Sequence, residues 1–251
     1  MARATSVEIA FVHKANRNCY QSNVSKHLVA RIRQVYGLEC KTEGEFTMAV
    51  WEMAGRGRRD FADMIEALSD EQLDQQSLCD AWTARGVLCH LTAFVETGFP
   101  SFMGGLVKNK FDFDKASLAM AQKQLDRPVP DVIASLRAKA TKSSAMPTFP
   151  EELTVTDTAI HTQDVRRPLG LDGSIAEDIQ LTALNFLTEH KMATMLVNRP
   201  PIEGVKLTAT DMDWTWGSGA EITGTAEALM MGLAKRPVLD DLSGEGLALW
   251  R

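Results

Sequence analysis

The sequence lacks the marks of a nucleic-acid binder, a membrane protein or a disulfide scaffold. Its 27 Lys and Arg are outnumbered by 33 Asp and Glu, for a net charge of −6. It therefore has no basic excess to meet a phosphate backbone, and no DNA or RNA partner is expected. No apolar run approaches the ~18 residues a membrane span requires. Residues 1–20 lack an uninterrupted apolar segment followed by a small-residue cleavage site, so they do not read as a secretory signal. Cys19, Cys40, Cys79 and Cys89 are the only cysteines, and none forms a CxxC pair. They are too sparse for a disulfide framework, and the cytoplasm is the expected location.

What the chain does have is core material. With 251 residues and 45% hydrophobic composition it can bury an ordinary interior, in one large domain or two modest ones. Residues 1–47 read as an extension of uncertain status, with a short helical pattern at Val24, Leu28, Ile32 and Val35 and with Met48 as an alternative start. From Met48 to Leu68, Val50, Met53, Phe61, Ile65 and Leu68 recur at helical spacing among Arg56, Arg58, Arg59, Asp60 and Asp63, which predicts a surface helix packed by one face. Ser69 and Gln72 have the spacing of a capping box. Thr83 is an expected N-cap for an apolar helix through Val87, Leu88, Leu91, Phe94 and Val95.

The paired glycines of Pro100–Lys110 suggest a loop or a helix end at a cavity mouth. Helices are expected over Phe113–Leu125 and Pro130–Lys142, then a loop, with Pro150 at the first position of the next helix. A single long helix is expected from Ile175 to Val197. Beyond Pro200 the apolar period falls from 3.6 to 2, at Val205, Leu207 and Ala209 and again at Met212, Trp214 and Trp216. Gly217-Ser218-Gly219 predicts a hairpin into Ala220–Gly224, and Thr225 an N-cap for a helix to about Arg236. The fold class is mainly α: a helical domain over 48–198 and a small α+β unit over 199–251.

The chemistry points to Thr154–Gly170. On a helix Asp157 and His161, four residues apart, project from one face and can grip one ion, with Asp164 continuing the stripe. Such pairs are common on charged helices, and most are solvated surface. Catalytic zinc usually takes three protein ligands, so a third donor must come from elsewhere. His90, inside the apolar helix after Thr83, is either that donor or an ordinary core histidine satisfied by a hydrogen bond.

Three segments, DAWTARGVLCHL (80–91), DTAIHTQDVRRPLG (157–170) and WTWGSGAEITGTAEALMMGLAKRP (214–237), together resemble the mycothiol-dependent maleylpyruvate isomerase family, over about Met48 to the C-terminus. The resemblance implies a DinB-like four-helix bundle followed by a small α+β domain. It implies a divalent metal, typically zinc, on His90, Asp157 and His161, with mycothiol as thiol cosubstrate. Asp157 departs from the family's commoner glutamate by one methylene, and Asp164 is the nearest substitute, or a partner orienting His161 through its other ring nitrogen. The family's tail arginine near the substrate matches Arg236, which complements the dipole of its own helix equally well.

Two functions follow. One is a metalloenzyme that uses a thiolate on a small electrophile, by isomerisation or by thiol transfer. The other is a non-catalytic metal- or ligand-binding module of the same fold. A monomer or homodimer is expected, with no nucleic-acid or membrane partner.

Overall fold

The computed structural model describes residues 43–142, 149–197 and 199–250, of which Ala49 onward belongs to one compact unit. The helical pattern expected over Val24–Tyr36 lies outside the described residues. The first helix, α1 (Glu43–Glu66), buries Val50, Ala54, Phe61 and Ile65 on one face. The next, α2 (Asp70–Leu73), starts from the expected capping box: the Ser69 side chain accepts from the Gln72 backbone and the Gln72 side chain from that of Ser69. Thr83 caps α3 (Ala84–Glu96) by accepting from Gly86 N–H.

The Pro100–Lys110 stretch, expected as a loop or helix end, is the helix α4 (Phe99–Lys108). Methyls added at Gly104 and Gly105 would meet nothing within 4 Å, so both glycines lie toward open space. Each costs about 1 kcal/mol against alanine in a helix. Burial of Phe102 among Phe94, Met103, Leu106 and Phe113 offsets that cost. Helices α5 (Phe113–Leu125) and α6 (Val129–Ala138) follow, both packed on α3.

Pro150 stands at the N-cap of α7 (Glu151–Arg166), one residue before the position expected. Gly170, at a φ of 60°, closes the helix exit while Leu171 N–H reaches Arg166 carbonyl and Gly170 N–H reaches Arg167 carbonyl. The long helix expected from Ile175 to Val197 is two, α8 (Glu177–Glu189) and α9 (Ala193–Val197). His190 takes an extended conformation, and its Nδ1 accepts from Met192 N–H, an alternative to the next helical turn.

Helices α1, α3, α7 and α8 form a four-membered ring. Phe61 and Ile65 of α1 join Val87, Leu88 and Leu91 of α3 in one apolar cluster with Val165 of α7. Helix α7 packs along α8, and Thr182 of α8 lies against Met53 of α1. Each fully buried Phe or Leu in this core contributes about 1.5–3 kcal/mol.

The tail is a three-stranded sheet in the order β2-β1-β3, from β1 (Val205–Ala209), β2 (Thr215–Gly217) and β3 (Ala220–Gly224). Gly217-Ser218-Gly219 makes no hairpin between β2 and β3: β2 pairs antiparallel to β1 and β3 pairs parallel on its other edge. These glycines carry the chain past the start of β1, where a Cβ at Gly217 would clash with Val205 carbonyl oxygen and one at Gly219 with Gly204 carbonyl oxygen. The alternation through Met212 and Trp214 is not strand either. Trp214 is buried instead by its indole, which donates to Asn185 Oδ1 of α8 at 3.0 Å.

Thr225 caps α10 (Ala226–Leu233), which stops short of Arg236. Arg236 N–H bonds Met231 carbonyl and Lys235 N–H bonds Gly232 carbonyl, with Lys235 left-handed at a φ of 54°. Two 3₁₀ turns, Leu239–Asp241 and Glu245–Leu249, end the fold.

Candidate metal centre

Helix α7 carries Asp157 and His161 one turn apart, and α3 brings His90 opposite them. Asp157 Oδ2 lies 3.5 Å from His90 Nε2, and its Oδ1 lies 3.5 Å from His161 Nε2. One ligand atom from each of the three lies within 4.8 Å of the others. The two imidazoles meet edge-on, with ring centres 4.8 Å apart. Donors about 2.0–2.1 Å from a tetrahedral ion are ~3.4 Å apart, so the two carboxylate contacts already have that spacing. His90 Nε2 is buried without a hydrogen bond, a cost that a coordinated ion would remove. Two imidazole nitrogens and a carboxylate oxygen fit a divalent cation such as zinc.

Each histidine is held from behind, but differently. His90 Nδ1 lies 3.0 Å from the hydroxyl of Ser117 on α5, and its ring sits among Trp82 and Phe94. His161 Nδ1 lies 2.9 Å from Asp164 Oδ2. Asp164, fully buried, also accepts from Arg236: Nε to Oδ1 at 2.7 Å and Nη2 to Oδ2 at 2.8 Å. Because Asp164 is an acceptor here, His161 directs Nδ1–H toward it and Nε2 toward Asp157.

Burial pushes the His90 imidazole below its ordinary value, and Asp157 only partly opposes this. Burial acts the same way on His161, but Asp157 and Asp164 outweigh it and raise that imidazole. Burial would raise Asp157, yet the two histidines and Arg58 bring it down to about 2. Cys89, next to His90, is not part of the site. Burial pushes its thiol up to about 11, as suits a core cysteine.

A cleft opens over the centre. Arg58, Phe94, Phe113, Phe149 and Leu153 line it beside His90 and Asp157. The structure therefore brings His90, Asp157 and His161 together and sets Arg236 behind His161, engaged with Asp164.

Two residues at the site were not singled out from sequence. Ser117 lies on the stripe with Phe113 and Ala121. Arg58, read as part of a solvated face, is 3% exposed. It shares the helical stripe of Ala54, Phe61 and Ile65, and that register was the signal that could have found it.

Fold and site define a DinB-like helical bundle with a His–Asp–His cluster at its centre, joined to a small α+β tail. Residues 54–148 match the family described as mycothiol maleylpyruvate isomerase N-terminal domain. The matched stretch carries Arg58, His90 and Ser117 and ends before Asp157. Two crystal structures of the mycothiol-dependent maleylpyruvate isomerase are similar. For the first, a histidine-to-alanine mutant, the TM-score is 0.54 at 12% identity. The second gives 0.53 at 13%, and each match covers 79% of this chain and 92% of the other. At that identity the likeness is one of fold. No curated protein matches the chain.

Proposed function

We propose that the chain is a mycothiol-dependent metalloenzyme that turns a bound thiol on a small electrophile, by isomerisation or by thiol transfer. The observation that carries this reading is the His90–Asp157–His161 cluster, spaced for one cation and opening on a cleft. His90 and His161 would hold the ion through Nε2 and Asp157 through a carboxylate oxygen. A divalent ion so held would supply a positive charge that lowers the pKa of a bound thiol.

The protein's own residues supply the rest. Asp164 holds His161 in the tautomer that leaves Nε2 free, and Arg236 holds Asp164 ionised and in place. Ser117 fixes the other imidazole. The wall of Phe94, Phe113 and Phe149 keeps water from one side of the cleft, which strengthens charge interactions inside it. The shorter Asp157 in place of glutamate is compatible with this arrangement, because its two oxygens already reach both histidines at equal distance.

Metal analysis of the purified protein, beside mycothiol-dependent consumption of maleylpyruvate, tests the reading. Bound zinc and thiol-dependent turnover are expected, both lost in His161→Ala. Metal retention without turnover of any mycothiol-linked electrophile would favour the non-catalytic module instead. Among the described residues no helix is long and apolar enough to cross a membrane.

A further inference from the structure

Arg58 is the buried charge that the cluster does not explain. Its Nη1 donates to Ala140 carbonyl at 2.6 Å and Lys142 carbonyl at 2.9 Å, just beyond α6. Nε and Nη2 make no hydrogen bond among the described residues, and the side chain lines the cleft. No carboxylate among the described residues comes within ion-pair distance of it. Asp157 acts on it only at longer range and is shared with two histidines. Burial pulls the guanidinium down to about 10, a sign of how little compensates its charge. A buried cation with no counter-charge beside it is costly, and an anion in the cleft would offset that cost.

We propose that Arg58 is the anion subsite of the cleft and receives the carboxylate of a small organic acid whose flat, apolar body lies against Phe94, Phe113 and Phe149. A guanidinium fork matches a carboxylate's two oxygens. A single such cation among aromatic walls suits one carboxylate better than a phosphate, which calls for more donors. The assignment names the electrophile's class within the function proposed above and shares its cleft, but it requires neither metal nor thiol.

The experiment titrates 4-fluorobenzoate and its uncharged isostere 4-fluorobenzamide into the full chain, read by fluorine NMR, with and without EDTA. Wild type is expected to prefer the carboxylate by about ten-fold or more, the order of one charge-assisted hydrogen bond. Arg58→Gln is expected to erase the preference by weakening carboxylate binding far more than amide binding, and EDTA is expected to leave the wild-type preference intact. Equal binding of the two probes by wild type would overturn the proposal, with no variant needed. A preference unchanged in Arg58→Gln, or abolished by EDTA, would also overturn it by putting the carboxylate elsewhere or on the metal. Failure of the enzymatic reading would appear separately, as no metal and no thiol-dependent turnover, with the charge preference still present.

Discussion

The two histidines of the centre face the same carboxylate but are supported by different chemistry. His90 rests on a neutral hydroxyl and aromatic rings, so burial dominates and keeps it uncharged. His161 rests on an ionised carboxylate that is itself gripped by a guanidinium, so charge dominates and favours its protonated form. The same side chain on two bundle helices is thereby given two proton affinities. One imidazole offers its lone pair readily, and the other yields it only when a cation outbids the proton.

Breaking the charged side has the largest expected effect. His161→Ala removes one of three donors and should abolish stoichiometric metal, read by elemental analysis after dialysis. Asp164→Asn comes next. It leaves the Arg236 guanidinium partly buried without its partner and should cost about 3 kcal/mol in urea unfolding. Metal affinity should fall about 10–100-fold by competition with a chromophoric chelator.

The pH dependence of the metal-free protein sharpens the contrast. His161, raised in the fold, contributes stability fully present below its unfolded value near 6.5 and lost as pH rises through its folded one. His90, lowered in the fold, contributes stability present above about 6.5 and lost as pH falls. Histidine NMR titrations should show the two moving apart, and Asp164→Asn should bring His161 back toward the ordinary range. Ser117→Ala has the smallest expected effect. Losing one neutral hydrogen bond should cost about 1 kcal/mol and change metal affinity less than Asp164→Asn does.

Where signals are local, the sequence was readable. The capping residues Ser69 and Thr83 work through bonds to backbone three residues away, and the apolar face of Phe113–Leu125 needs only its own period. Asp157 and His161 could be paired because helical geometry relates them directly. Misreadings came where distant groups decide. Gly104 and Gly105 look like breakers until Phe102 finds the aromatic cluster that holds α4. Gly217 and Gly219 look like a hairpin until β1 inserts between the strands they join. Arg58 resembles its neighbours, the exposed Arg56 and the half-buried Arg59, until the carbonyls after α6 receive it. Resemblance points to Arg236, yet its hold on Asp164 spans 72 positions and no periodicity encodes it.

That long clasp bears on how the protein is made. During synthesis the three donor side chains are all in place by residue 161, yet the carboxylate behind His161 lacks its guanidinium partner until the ribosome has added residue 236, beyond the sheet. A nascent chain stalled at the end of β3 would carry every donor and still present one of them on an unsteady support. Quality control that samples the bundle early would thus meet a centre still awaiting its final brace.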